Sequence, residues 1–199
     1  MNETKEIIFK PAFFSRKQKL ILNAEFIEFF KSPDDKTPIR FSKLEIDGMR
    51  FGIRWIRGYQ FYIGRIYCVD IKNTAGAIIK FRLKSIYKIN TNQLRKKYSI
   101  VLNTIFRYYF NEAIVQYLKM FTYKQPFFIL NVQFKQDGIL INEKNDFISW
   151  ADIETRSYTT YYTISSKSKP GFYKAFDYIE DWNVWVLYSV LSNILKVKI

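Results

Sequence analysis

The sequence predicts an α+β protein that is mostly β, built from two related halves that each run through antiparallel strands and close on a C-terminal amphipathic helix. Three observations carry that expectation. A stretch of the chain recurs later in the same order, apolar and polar residues alternate through both halves, and each half ends in a segment of helical periodicity.

The recurrence lies in two places. Ile21-Leu22-Asn23-Ala24-Glu25-Phe26 matches Ile129-Leu130-Asn131-Val132-Gln133-Phe134 at four of six positions, and Phe41-Ser42-Lys43-Leu44-Glu45-Ile46 is similar to Ile148-Ser149-Trp150-Ala151-Asp152-Ile153. The displacement changes from 108 to 107 residues between the two, as a one-residue change in turn length would produce. The expected domains are 1–122 and 123–199. One fused domain with pseudo-twofold symmetry is the alternative.

In the first half, Asp47-Gly48 suits a hairpin turn between strands over 41–46 and 49–56, with Phe51, Ile53 and Trp55 on one face and Arg50 and Arg54 on the other. Residues 59–71 and 78–86 form two more strands around the turn Asn73-Thr74-Ala75-Gly76. In the latter strand Ile79, Phe81 and Leu83 share one face, and Lys80, Arg82 and Lys84 share the other. A long helix follows over about 91–121, opened by Asn90 with Gln93 in a capping arrangement and carried by Leu94, Tyr98, Val101, Leu102, Ile105 and Tyr109. Lys124-Gln125-Pro126 ends it, because proline lacks a donor and disfavours helix in the residue before it.

The second half shows only about five strands. Alternation through 130–135 places Leu130, Val132 and Phe134 inside and Asn131, Gln133 and Lys135 in water, and Asp137-Gly138 then supplies a tight turn. Asp181 is expected to cap a helix over 182–195, with Trp182, Trp185, Val186, Ser189, Val190 and Asn193 along one side.

Composition sets the class. With 48% apolar and 19% aromatic residues, the chain has ample area to bury against the entropy of ordering it. No segment has the length and uniform apolarity of a signal peptide or a transmembrane helix, and the single cysteine, Cys68, requires no oxidising compartment, so a cytoplasmic location is expected. The net charge of +14 is concentrated: 12 basic residues face 8 acidic ones in 1–60, 12 face 2 in 61–125, and 8 face 8 in 126–199. A positive field confined to the middle of the chain suits an anionic partner, whether nucleic acid, an anionic lipid headgroup or an acidic protein. The alternative is that these cations solvate an aromatic surface.

Two runs of hairpin-linked strands, each completed by an amphipathic helix, with the phrase Ile148-Ser149-Trp150-Ala151-Asp152-Ile153, resemble a tandem of pleckstrin-homology-like domains of bacterial type. The resemblance implies two bent antiparallel sheets or partly open barrels, each plugged at one end by its helix, and a role in recognition. Phosphoinositide-binding members hold the headgroup with basic residues of the first two hairpins. Lys43, Arg50 and Arg54 lie around Asp47-Gly48 here without that family's spacing, so no lipid specificity carries over.

Residue types argue against catalysis. Histidine is absent, which removes the commonest general base and the main imidazole ligand, and Cys68 sits in the apolar run Ile66-Tyr67-Cys68-Val69 as a buried thiol would. No catalytic residue, cofactor or metal site is expected. The signal that remains is the interleaving of arginine and aromatic residues from Arg50 to Arg65, a pattern also found where cations track phosphates and rings stack on bases. Core alternation accounts for Phe51, Ile53 and Trp55 equally well. The partner-binding candidates are Arg50, Arg54, Arg57, Arg65, Lys80, Arg82 and Lys84, in a non-catalytic binding or scaffolding module. The first alternative is a homo-oligomeric assembly protein anchored by Tyr158, Tyr161, Tyr162, Trp182 and Trp185. The second is an unfamiliar enzyme using Asp70, Asp152, Glu154 and Tyr158.

Overall fold

A computed structural model describes residues 3–141, 146–169 and 171–198, and among these residues the chain forms fourteen strands and two helical runs. The chain divides into two compact units, Met1–Phe110 and Asn111–Ile199. Among the described residues no helix is long and apolar enough to cross a membrane.

Unit 1 begins with an antiparallel sheet in sequence order: β1 (Lys5–Phe9), β2 (Gln18–Leu22), β3 (Phe26–Phe30) and β4 (Ile39–Ser42). A 3-10 turn, Lys43–Glu45, then turns the chain into a second sheet of β5 (Ile46–Arg57), β6 (Tyr62–Asn73) and β7 (Ile78–Ile86). Ser42 caps that turn: its backbone N–H and its hydroxyl both donate to the Glu45 carboxylate at 2.7 Å. Asp47-Gly48, expected to form a hairpin, instead lies inside β5 at a bulge between Ile46 and Gly48. The Asn73–Ala77 turn forms where expected, with Gly76 at φ +82.

The alternation of β7 is reproduced: Ile79, Phe81 and Leu83 are buried and Lys80 and Lys84 exposed. They share a core with Leu20, Leu22 and Ile27 of the first sheet and with Val101 and Ile105 of α1 (Thr91–Ile105). Asn90 precedes α1 in the left-handed region at φ 54, and its side chain makes no capping bond. The helical run continues through a π-helical segment, Phe106–Phe110, where Tyr109 donates to the carbonyls of Asn23 and Phe26, and then through α2 (Asn111–Thr122). Lys124 leaves it at φ 57. Set beside the expected limit at residue 122, the division between units falls inside this run.

Unit 2 takes α2 because its aromatic residues pack there: Tyr117 meets Phe127 at 5.2 Å and Phe121 meets Trp150 at 5.3 Å, edge to face. Seven strands follow among the described residues, where about five are expected. A sheet of β8 (Phe127–Ile129), β9 (Val132–Phe134), β10 (Gly138–Ile141) and β11 (Asp146–Ser149) leads through the 3-10 turn Trp150–Asp152 into β12 (Ile153–Ser157), β13 (Tyr161–Ser166) and β14 (Tyr173–Asp177). The expected unbroken strand over 130–135 is a hairpin turn followed by β9. Leu130 turns at φ 55 and is exposed, so only Val132 and Phe134 reach the core.

The last helix, α3 (Val184–Lys198), starts two residues later than expected, after Asn183 at φ 61. Asp181 accepts the Asp177 N–H instead of capping the helix. The buried stripe of α3 is Val184, Leu187, Leu191 and Ile194 with Val186 and Val190, so Trp185 and Ser189 are only partly covered and Asn193 is exposed. Of the two phrases shared between halves, the second falls on equivalent elements: Ser42 and Ser149 both precede a 3-10 turn, with φ −71, ψ 157 and φ −68, ψ 156. The first does not, because 21–26 joins β2 to β3, the second and third strands of their sheet, whereas 129–134 joins β8 to β9, the first two of theirs. Within each unit no pairing among the described residues closes the strands into a barrel.

Candidate functional site

The β5-β6-β7 sheet has two opposite chemistries, and its register creates them. On one face the cross-strand rows are Met49-Ile71-Ile79, Phe51-Val69-Phe81 and Ile53-Tyr67-Leu83, which turn into the core. On the other face the rows are Arg50-Asp70-Lys80, Gly52-Cys68-Arg82 and Arg54-Ile66-Lys84. Because side chains alternate across a pleated sheet, basic residues an even number apart, four on β5 and two on β7, must fall on the same side. Five of the seven candidate cations therefore gather: Arg50, Arg54, Lys80, Arg82 and Lys84.

Asp70 sits among them and is buried. Arg50 Nε donates to its Oδ2 at 3.0 Å from β5, and Arg82 Nη2 lies 2.5 Å from its Oδ1 on β7. Arg82 Nη1 also donates to the carbonyls of Val69 and Phe81. These bonds hold the two guanidinium groups in one geometry, so the face is preorganised. Lys72 extends the row at the far end, 2.9 Å from Asp47. Among the described residues no carboxylate lies within ion-pair distance of Lys80 or Lys84, and both are exposed. One buried acid among several cations leaves a positive field directed at solvent.

Two candidates stand apart. Arg57 is exposed opposite Tyr62, where the β5-β6 hairpin closes. Arg65 belongs to the alternate face, and its guanidinium lies over the Trp55 ring at 4.6 Å, with Tyr62 packed at 5.6 Å from the same ring. Trp55 is thus half exposed, not a core residue as its alternation implies.

No protein-family model matches the chain, and no curated protein matches it.

The groups considered for catalysis have structural partners. Burial raises the Cys68 thiol above its ordinary value despite the Arg82 and Arg54 charges, so it stays protonated and unreactive at neutral pH. Asp152 accepts the Ser166 hydroxyl at 2.5 Å and the Ser168 N–H at 2.7 Å, and the Ser166 bond holds its carboxyl below the usual range. Glu154 pairs with Arg156 at 2.9 Å. Of the aromatic anchors considered for self-association, Tyr162 is fully buried and belongs to the core, while Tyr158 and Tyr161 stack at 4.6 Å.

The structure also exposes residues that sequence reasoning passed over. Phe13 and Phe14 project from the β1-β2 connection beside a groove of about 600 Å³ lined by Lys10, Lys84, Ile86, Ile89 and Leu94. An aromatic pair set between Lys10 and Arg16-Lys17 was the signal available for them.

Proposed function

We propose that the chain is a non-catalytic binding module in which each unit is a pleckstrin-homology-like domain, and in which the outer face of β5-β7 holds an anionic partner. The architecture supports the first part: each unit runs through a four-stranded sheet, a 3-10 corner, a three-stranded sheet and a helix at its end, in the same order, with α2 preceding this series in unit 2. The repeated phrase, at the corner of each unit, supports common ancestry of the two.

The observation that carries the binding role is the gathering of Arg50, Arg54, Lys80, Arg82 and Lys84 on one face, with a single buried carboxylate to fix two of them. Such a face attracts anions at a distance and holds them by charge-assisted hydrogen bonds. The absence of histidine, and the structural roles of Cys68, Asp152 and Glu154, favour recognition over catalysis.

The test is charge reversal at three cations of this face that leaves the Arg50 and Arg82 pairs with Asp70 in place. Binding of the full chain to a heparin column and to single-stranded RNA is expected to weaken steeply with salt, and Arg54→Glu, Lys80→Glu and Lys84→Glu together are expected to abolish it. Retention of either ligand by the triple variant at unchanged salt would contradict the reading.

A further inference from the structure

Three connections of unit 1 meet at one end of the β5-β7 sheet. The β5-β6 hairpin, 58–61, closes there above the Arg57-Tyr62 pair, with the Gly58 N–H donating to the Phe61 carbonyl. The β7-α1 connection, 87–90, lies beside it, because Gly64 pairs with Ile86 and the Tyr87 N–H donates to the Ile63 carbonyl. The β1-β2 connection, 10–17, joins them: the Lys84 N–H donates to the Pro11 carbonyl, and Phe13 and Phe14 share a groove with Ile86 and Ile89.

The tips of these connections are apolar and uncovered. Phe14 is 96% exposed and Tyr59 93%, with Phe13, Phe61, Tyr87 and Ile89 also in solvent. Segments 10–17, 54–66 and 84–90 contain three, three and two Lys or Arg and no Asp or Glu. Large apolar side chains at loop tips, ringed by cations and anchored by backbone hydrogen bonds, match the interfacial zone of a bilayer whose surface is anionic.

We infer that this end of unit 1 docks on an anionic membrane surface, placing Phe13, Phe14, Tyr59 and Phe61 among the lipid headgroups while Arg54, Arg57 and Lys84 face the phosphates. The inference rests on the anionic-partner reading and narrows it to a lipid bilayer. Ring geometry favours lipid over nucleic acid. Bases stack on parallel open ring faces, whereas Phe13 and Phe14 meet edge to face at 86° and one face of the half-exposed Trp55 ring is occupied by Arg65. The face reads bilayer charge and interfacial depth, not one headgroup.

Cosedimentation with vesicles of phosphatidylcholine alone and of phosphatidylcholine with a third of phosphatidylserine tests it. The full chain is expected to bind the second and not the first, with binding weakened by salt. Phe13→Ser, Phe14→Ser and Phe61→Ser together are expected to lower binding about tenfold or more with an unchanged unfolding midpoint. In the wild-type chain, brominated lipids are expected to quench the Trp55 fluorescence, and Trp55→Phe to remove that quenching, a readout independent of the triple variant. Vesicle binding undiminished in the triple variant, or no Trp55-dependent quenching, would overturn the insertion. Binding of single-stranded RNA but not of vesicles would overturn the membrane inference and leave the anionic-partner reading standing. Binding of neither would overturn both.

Discussion

Arg50 and Asp70 face each other across β5 and β6, Nε to Oδ2 at 3.0 Å, and Arg82 closes on the same carboxylate from β7. Removing the buried carboxylate leaves two partly exposed guanidinium charges without their shared partner and repelling one another. Asp70→Asn is therefore expected to lower stability by about 3 kcal/mol, measured by urea unfolding. The folded fraction should bind heparin more tightly at low salt, since the carboxylate that neutralises two of the face's cations is gone. Unchanged stability would mean that the two arginines hold their positions without it.

Alkaline pH offers a second check. Burial holds the Tyr98, Tyr109 and Tyr162 phenols well above the ordinary value of 10.0. Above that value the unfolded chain loses these protons while the folded chain keeps them, so the stabilisation is complete below pH 10 and is lost as pH rises beyond it. Absorbance at 295 nm should show a late group of tyrosines titrating only with loss of the far-ultraviolet helical signal. Full titration before unfolding would show these three phenols to be accessible.

Two glycines should respond differently to alanine. At Gly138 a Cβ would collide with the Ile148 carbonyl oxygen, in the backbone of the neighbouring strand, so β10 and β11 must separate. At Gly76 the space is open and only the φ of +82 is strained. Gly138→Ala is expected to destabilise by about 2 to 3 kcal/mol and Gly76→Ala by about 1 kcal/mol. Equal thermal shifts would contradict the close approach of the strands.

Trp150 packs on Phe121 and Phe134 and donates its indole N–H to the Gln136 carbonyl at 2.9 Å. Trp150→Phe keeps most of the packing and removes the bond, for a loss of about 1 kcal/mol. Trp150→Ala also opens a cavity, for about 3 to 5 kcal/mol. Calorimetry on the two variants separates these contributions, and similar losses would mean that the bond, not the packing, dominates.

Strand faces were legible wherever period-two alternation ran without interruption, as in β7, where Ile79, Phe81 and Leu83 turn inward. Alternation fails at Leu130 because a leucine in the left-handed region carries no sequence signal, so a hairpin turn there reads as strand. Asp47-Gly48 misled because the residues that suit a tight turn also suit a bulge. Lys43–Glu45 and Trp150–Asp152, which recur at the corners of the two units, were legible as a repeat but not as turns. Of the site, the cations of β7 could be placed on one face from sequence. Their union with Arg50 and Arg54 around Asp70, and the meeting of three connections near Phe14, depend on which strands pair and in what register. That information is long-range, and local periodicity does not contain it.

The most direct test is where an anion settles on the folded chain. Amide and guanidinium NMR signals of the isotope-labelled protein, titrated with tripolyphosphate, are expected to shift in a salt-sensitive way at Arg54, Lys80, Arg82 and Lys84, with the signals of unit 2 unmoved. Shifts scattered over both units, or confined to residues outside the β5-β7 face, would contradict the account.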